Sequence, residues 1–157
     1  MAEDTRSFHM ERCLGRGGFG EVYLATMRSP GGLERQVAVK VLRAEVDLQE
    51  DAVRRLKDEG RMLARVRHPS ILRVVDLLRL DDRLSLVTDY VEGQDLRECM
   101  AELSPRALLE VIARVASALD AAWNGRGDEG KPLELVHRDI KPGNVRLGLH
   151  GEVVILD

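Results

Sequence analysis

Val136-His137-Arg138-Asp139-Ile140-Lys141-Pro142-Gly143-Asn144 decides how the rest of the chain is read. This stretch sets a carboxylate, two cations and a carboxamide close together, flanked by the β-branched Val136 and Ile140. Pro142 and Gly143 make it a poor helix and a rigid loop, the kind of segment on which a scaffold carries active-site groups. So many charges on one short loop point to chemistry.

Bulk composition narrows the possibilities. A chain of 157 residues suffices for one ordinary domain or part of a larger one, and 44% hydrophobic with 32% charged residues is a globular composition. The net charge of -3 gives no general basic surface, so a nucleic-acid partner is not expected. Lysine occurs only at Lys40, Lys57, Lys131 and Lys141, so those inside motifs are informative. Cys13 and Cys99 make no disulfide framework and have no metal-ligand spacing, which fits the reducing cytoplasm. Met1 to Phe8 is a polar lead without a signal-peptide pattern, and no apolar run is long enough to cross a bilayer.

Nearer the start, a strand-like His9 to Leu14 runs into Gly15-Arg16-Gly17-Gly18-Phe19-Gly20 and then Glu21-Val22-Tyr23-Leu24-Ala25-Thr26. Gly15, Gly17, Gly20 and Val22 satisfy G-x-G-x-x-G-x-V, in which bare backbone amides can approach phosphate oxygens. A dinucleotide-binding turn needs a helix next, whereas β-type residues and the Ser29-Pro30-Gly31-Gly32 turn follow. That context favours a phosphate-covering hairpin, with a plain glycine hairpin as the other reading.

Gln36-Val37-Ala38-Val39-Lys40-Val41-Leu42 reads as a strand with Lys40 its only charge. A buried ammonium is costly unless paired, so Lys40 either snorkels from an edge or meets an anion. The next helix runs roughly from Leu48 to Val66, with Ala52, Leu56, Leu63 and Val66 as its apolar stripe. Glu59 lies on that stripe and needs a cation, for which Lys40 is the candidate and local pairing with Arg55 or Arg65 the alternative. Gly60 inside the helix costs roughly 1 kcal/mol relative to alanine, which either close packing or mobility would explain.

His68-Pro69-Ser70-Ile71-Leu72 ends the helix, and His68 is read as a structural contact. Strands are expected at about Leu72 to Leu80 and Leu84 to Thr88, joined by Asp81-Asp82, before Thr88 to Gly93 breaks the pattern. Asp95, three residues before Glu98, is read as a helix cap in preference to a ribose contact. Ser104-Pro105 opens a scaffold helix with Leu108, Ile112, Val115 and Leu119 at core spacing up to Trp123. A glycine-rich connection, Asn124 to Pro132, leads to the opening loop, and Val145 to Asp157 reads as a hairpin.

The glycine loop, VAVK, the helix glutamate before H-P-x-I, and HRDIKPGN occur in the order found in protein kinases. From Met10 to Asp157 the chain resembles the N-terminal part of a eukaryotic-type Ser/Thr protein kinase of the kind also found in bacteria. The resemblance implies an α+β fold, an antiparallel small-lobe sheet with one long helix plus the beginning of a helical large lobe. It implies a lead over 1–8, a small lobe over 9–88, a hinge over 89–94 and a partial large lobe over 95–157.

The resemblance also implies roles. Asp139 would orient the substrate hydroxyl and accept its proton, and Lys141 would neutralise the moving phosphoryl group. Asn144 and Asp157 would hold Mg2+, and Lys40 fixed by Glu59 would position the α- and β-phosphates of ATP. Leu14, Gly15, Gly17, Gly20, Val22, Ala38, Thr88, Asp89 and Val91 would complete the nucleotide site, with Asp89 and Val91 meeting the adenine edge through their backbone. Arg138 resembles the arginine that answers activation-loop phosphorylation, and Lys141 fits Ser/Thr-type loops.

Two departures accompany these roles. The sequence ends at Asp157, before the Phe-Gly, the activation segment and the supporting helices of the family, which implies a weakly active or inactive chain. Apolar large-lobe surface would then favour self-association or a covering partner. Arg146 stands where the family usually has an apolar residue beneath the adenine, and its aliphatic stem is expected to cover the base. A truncated pseudokinase that binds nucleotide or another kinase is the alternative function. A small-molecule phosphotransferase is disfavoured by Arg138 and Lys141.

Overall fold

The computed structural model describes residues 6–47, 50–126 and 130–156. Leu48, the expected helix start, residues 127–129 of the expanded connection and Asp157 lie outside the described residues. The chain forms two compact units, one built from residues up to Arg61 with Val74–Tyr90, the other from Met62–Arg73 and the residues from Val91 onward.

The first unit is a five-stranded antiparallel sheet in the order β1-β2-β3-β5-β4. Its strands are β1 (Ser7–Arg16), β2 (Gly20–Arg28), β3 (Glu34–Leu42), β4 (Val74–Leu80) and β5 (Arg83–Asp89). A short helix, α1 (Ala44–Asp47), precedes the long α2 (Glu50–Arg65). Period-two alternation along β3 sends Val37, Val39 and Val41 into one core with Ala25, Met27 and Val87. Leu42, on the opposite face with Ala38 and Lys40, packs with Leu84, Leu86 and Leu56 of α2. Burying a side chain such as Leu56 contributes about 1.5–3 kcal/mol, so this seam fixes the helix on the sheet.

Gly60 is buried one turn after Leu56, and a Cβ there would lie 2.9 Å from Leu86 Cδ1. The helix therefore tolerates glycine because the sheet comes close. Asp81 and Asp82, at φ of 47° and 62°, make the left-handed two-residue turn that matches strand twist between β4 and β5.

In the second unit, α4 (Pro105–Asn124) starts where Ser104 Oγ accepts from the Ala107 N–H at 3.2 Å. Its buried face runs through Val111 and Ala118, and Val111 meets Val145 and Val153. This corrects the expected stripe: Ile112 is 61% exposed, because β-strand partners lie a quarter-turn round the helix from it. Leu109 and Trp123 are exposed as well.

The segment after β5 also differs from expectation. Thr88 lies in β5 as expected and Asp89 extends it by one residue, the two paired with Ala38 and Val37. Gly93–Asp95 forms β6, followed by the single-turn helix α3 (Leu96–Cys99). β6 pairs with β7 (Val145–Gly148), which pairs with β8 (Val153–Ile155). Gly93–Asp95 therefore forms a strand because a partner strand far along the chain satisfies its backbone. Among the described residues no helix is long and apolar enough to cross a membrane.

Candidate active site

Strand register assembles the first group of residues. Lys40 stands opposite Val22 on one side and Leu86 on the other, while Ala38 stands opposite Leu24 and Thr88. Cross-strand partners share a face, so Val22, Ala38, Lys40 and Thr88 all point to the α2 side of the sheet. There Lys40 Nζ donates to Glu59 Oε1 at 3.0 Å and Oε2 at 3.2 Å, both side chains about a quarter exposed. Glu59 reaches Lys40, not Arg55 or Arg65, because it follows Leu56 by one helical turn on the face packed against β3.

Gly15 pairs with Val22, and Leu14 is the extra residue of the β-bulge between Cys13 and Gly15. The turn between β1 and β2 closes on itself, with the Gly17 N–H donating to the Gly20 carbonyl at 2.9 Å. At its tip Phe19 lies 5.9 Å from the Arg55 guanidinium of α2. Gly20 has no room for a side chain, since a Cβ would fall 2.3 Å from the Val41 carbonyl oxygen. Asp89, at the end of β5, is paired with Arg35 at 3.2 Å.

In the second unit the chain after α4 is tied back to it by Glu134 and Leu135 N–H groups donating to the Trp123 and Ala122 carbonyls. Arg138, at φ +69°, turns the chain through a conformation that costs a non-glycine residue about 1–3 kcal/mol. Asp139 follows at once. Lys141 Nζ donates to its Oδ2 at 2.6 Å, and the Asn144 side-chain amide donates to the same oxygen and to the Asp139 carbonyl, each at 3.0 Å. A 3-10 turn over Pro142–Asn144 brings Asn144 round to do so. Among the described residues no hydrogen bond reaches Asp139 Oδ1.

The Lys141 hydrogen bond, above all, holds the Asp139 carboxyl below the ordinary carboxylate range, with Asn144 acting in the same direction. Asp139 is therefore an ionised acceptor at neutral pH. His137 accepts from the Asp139 N–H at Nδ1, 3.3 Å, so its Nε2 carries the proton and donates to the Leu156 carbonyl at 3.2 Å. The Leu156 N–H in turn donates to the Asn144 carbonyl at 2.8 Å. No role for His137 is expected from the sequence, where its place two residues before Asp139 is the available signal.

Arg146 has partners for its guanidinium that the sequence did not indicate. Its guanidinium donates to the Val91 carbonyl at 2.7 Å, the Gly93 carbonyl at 2.8 Å and Asp95 Oδ1 at 2.8 Å. Asp95, as expected, begins α3, its N–H received by Glu98 Oε2 at 3.1 Å. His68 is the structural contact expected, accepting from the Ser70 N–H and meeting Ser117 Oγ at 3.1 Å.

Residues 8–157 match the protein kinase domain model. The chain belongs to the protein kinase family. It is 37% identical over 140 residues to the serine/threonine-protein kinase pkn2 of Myxococcus xanthus, covering 88% of this chain and 16% of that protein. It is 29% identical over 153 residues to the tyrosine-protein kinase MasK of the same species, covering 93% of this chain and 24% of that protein. The crystal structure of the Mycobacterium tuberculosis PknI kinase domain matches with a TM-score of 0.71 and 33% identity, over 96% of this chain and 58% of that one. This kinase chain thus spans about a quarter or less of these two relatives and under two thirds of the solved domain.

Proposed function

We propose that this kinase chain serves ATP-dependent phosphoryl transfer to serine or threonine hydroxyls of protein substrates. The observation that carries the reading is Asp139, ionised, with Oδ2 held by Lys141 and Asn144 and Oδ1 left to receive a hydroxyl. In such a reaction the protein mostly positions groups and neutralises charge. Asp139 accepts the hydroxyl proton as the oxygen attacks the γ-phosphorus and the bond to the β,γ-bridging oxygen breaks, releasing ADP, and Lys141 compensates charge on the moving phosphoryl group. Lys40, held by Glu59, receives the α- and β-phosphates.

The residues present suit Mg2+. Both hydrogen bonds of the Asn144 amide nitrogen go to acceptors on Asp139, so its side-chain oxygen faces away as a hard donor. With the carboxylate of Asp157 it would hold the ion, which supplies charge neutralisation between phosphates when bound. Free thiols at Cys13 and Cys99 support a reducing, cytoplasmic setting.

Lys141 and the name of pkn2 support Ser/Thr acceptors, while the name of MasK makes tyrosine the competitor. The test is transfer of labelled γ-phosphate from ATP and Mg2+ to a protein substrate by the intact protein, followed by phosphoamino-acid analysis. Label on serine or threonine is expected. Label confined to tyrosine, or none with any protein acceptor, would overturn the reading.

A further inference from the structure

One side chain gathers the whole segment that follows β5. Arg146 on β7 stands directly opposite Asp95 of β6, and its guanidinium folds back along β6. It spends three donors on three different residues: Nε on the Val91 carbonyl, Nη2 on the Gly93 carbonyl and Nη1 on the Asp95 carboxylate. Arg146 and Asp95 are only 20% and 24% exposed, so these bonds are partly shielded from water. The carbonyl between them in sequence, that of Glu92, receives the Leu149 N–H at 3.0 Å. Gly93 lies so close to β7 that a Cβ would fall 1.9 Å from the Leu147 carbonyl oxygen. Residues 91–95 are therefore pinned to β7, and a planar fork of donors is what such multiple acceptance requires.

We infer that Arg146 is a positioning residue for nucleotide binding, fixing the Val91–Asp95 segment so that the Val91 backbone meets the adenine edge in one preset position. The inference rests on the ATP-dependent reading above. Arg146 acts through Val91, Gly93 and Asp95 without touching the transferred phosphate. Its loss therefore weakens ATP capture and leaves the chemical step alone. Asp95 is held in an ion pair and capped against Glu98, so its carboxylate serves the brace.

The experiment compares the intact wild-type protein with Arg146→Leu and Arg146→Lys, reading KM for ATP, KM for the protein acceptor, kcat, and amide hydrogen exchange at residues 91–95. Arg146→Leu is expected to raise KM for ATP about tenfold, the factor equivalent to about 1.4 kcal/mol. Its kcat and acceptor KM should stay within about twofold, with faster exchange in the segment. Arg146→Lys, a single ammonium in place of the fork, should fall between. If Arg146→Leu does not fold, Arg146→Lys alone decides by the same readouts. Unchanged ATP KM and exchange, or a loss confined to kcat, would overturn the inference while leaving the function standing. A wild-type protein that turns over no ATP would overturn the function and the inference with it.

Discussion

The Asn144 side-chain amide donates twice to Asp139, to its main-chain carbonyl and to its Oδ2, both at 3.0 Å. The residue proposed to hold the metal ion thus also sets the carboxylate proposed to receive the proton. Asn144→Ala should lower kcat on the order of 100-fold or more, as losing one preorganised electrostatic contact does elsewhere. Steady-state kinetics at saturating Mg2+ checks this. A purely metal-binding role would be rescued by raising Mg2+, whereas the hydrogen bond to Asp139 would not.

Asp139 predicts a pH profile. Its folded-state value is depressed, first by the Lys141 hydrogen bond, so the ionised form persists as pH falls through the ordinary carboxylate range and is lost only below it. The activity loss on the acid side due to Asp139 should therefore lie below pH about 3.9, the ordinary aspartate value. Lys141→Ala should move that limb upward, besides slowing the reaction. The pH dependence of kcat/KM for the two proteins measures it, and a limb that stays put would show that Lys141 does not tune Asp139.

Lys40 and Glu59 should behave as one unit. Glu59→Gln removes the charge that steadies a Lys40 ammonium only about a quarter exposed, and Lys40→Met removes the proposed phosphate contact. Each should cost roughly 100- to 1000-fold in kcat/KM. The double variant should be little worse than Lys40→Met, since coupled residues are non-additive. Full additivity in the double-mutant cycle would contradict the pairing.

Gly20 and Gly18 should differ although both sit in the same turn. A methyl at Gly20 meets the Val41 carbonyl oxygen at 2.3 Å, main chain that cannot swing aside, whereas a methyl at Gly18 meets nothing within 4 Å. Gly20→Ala should destabilise by about 1–3 kcal/mol, as overpacking does, and Gly18→Ala by far less. Thermal unfolding of both variants would decide.

Much of this was legible in the sequence for physical reasons. Alternation in β3 placed Lys40 and Leu42 on one face, and the helical repeat from Leu56 to Glu59 and Leu63 placed the carboxylate opposite, so the ion pair followed from two periodicities. Ser104-Pro105 fixed the start of α4 because capping is local. What was not legible depends on partners distant in sequence. β6 exists because β7 lies beside it, some fifty residues later, and the buried face of α4 is Val111 and Ala118 because Val145 and Val153 meet it there. No partner was expected for the Arg146 guanidinium. The carbonyls and carboxylate that capture its guanidinium emerge only once β6 and β7 pair.

The most direct measurement is phosphoryl transfer by Asp139→Asn beside the wild-type protein, with ATP affinity followed in parallel. Asparagine preserves shape while removing the basic oxygen. ATP binding should remain near wild type while kcat falls about 100- to 10,000-fold, the range a positioned general base supplies. Turnover at the wild-type rate by Asp139→Asn would contradict the assignment of Asp139 as the group that accepts the hydroxyl proton.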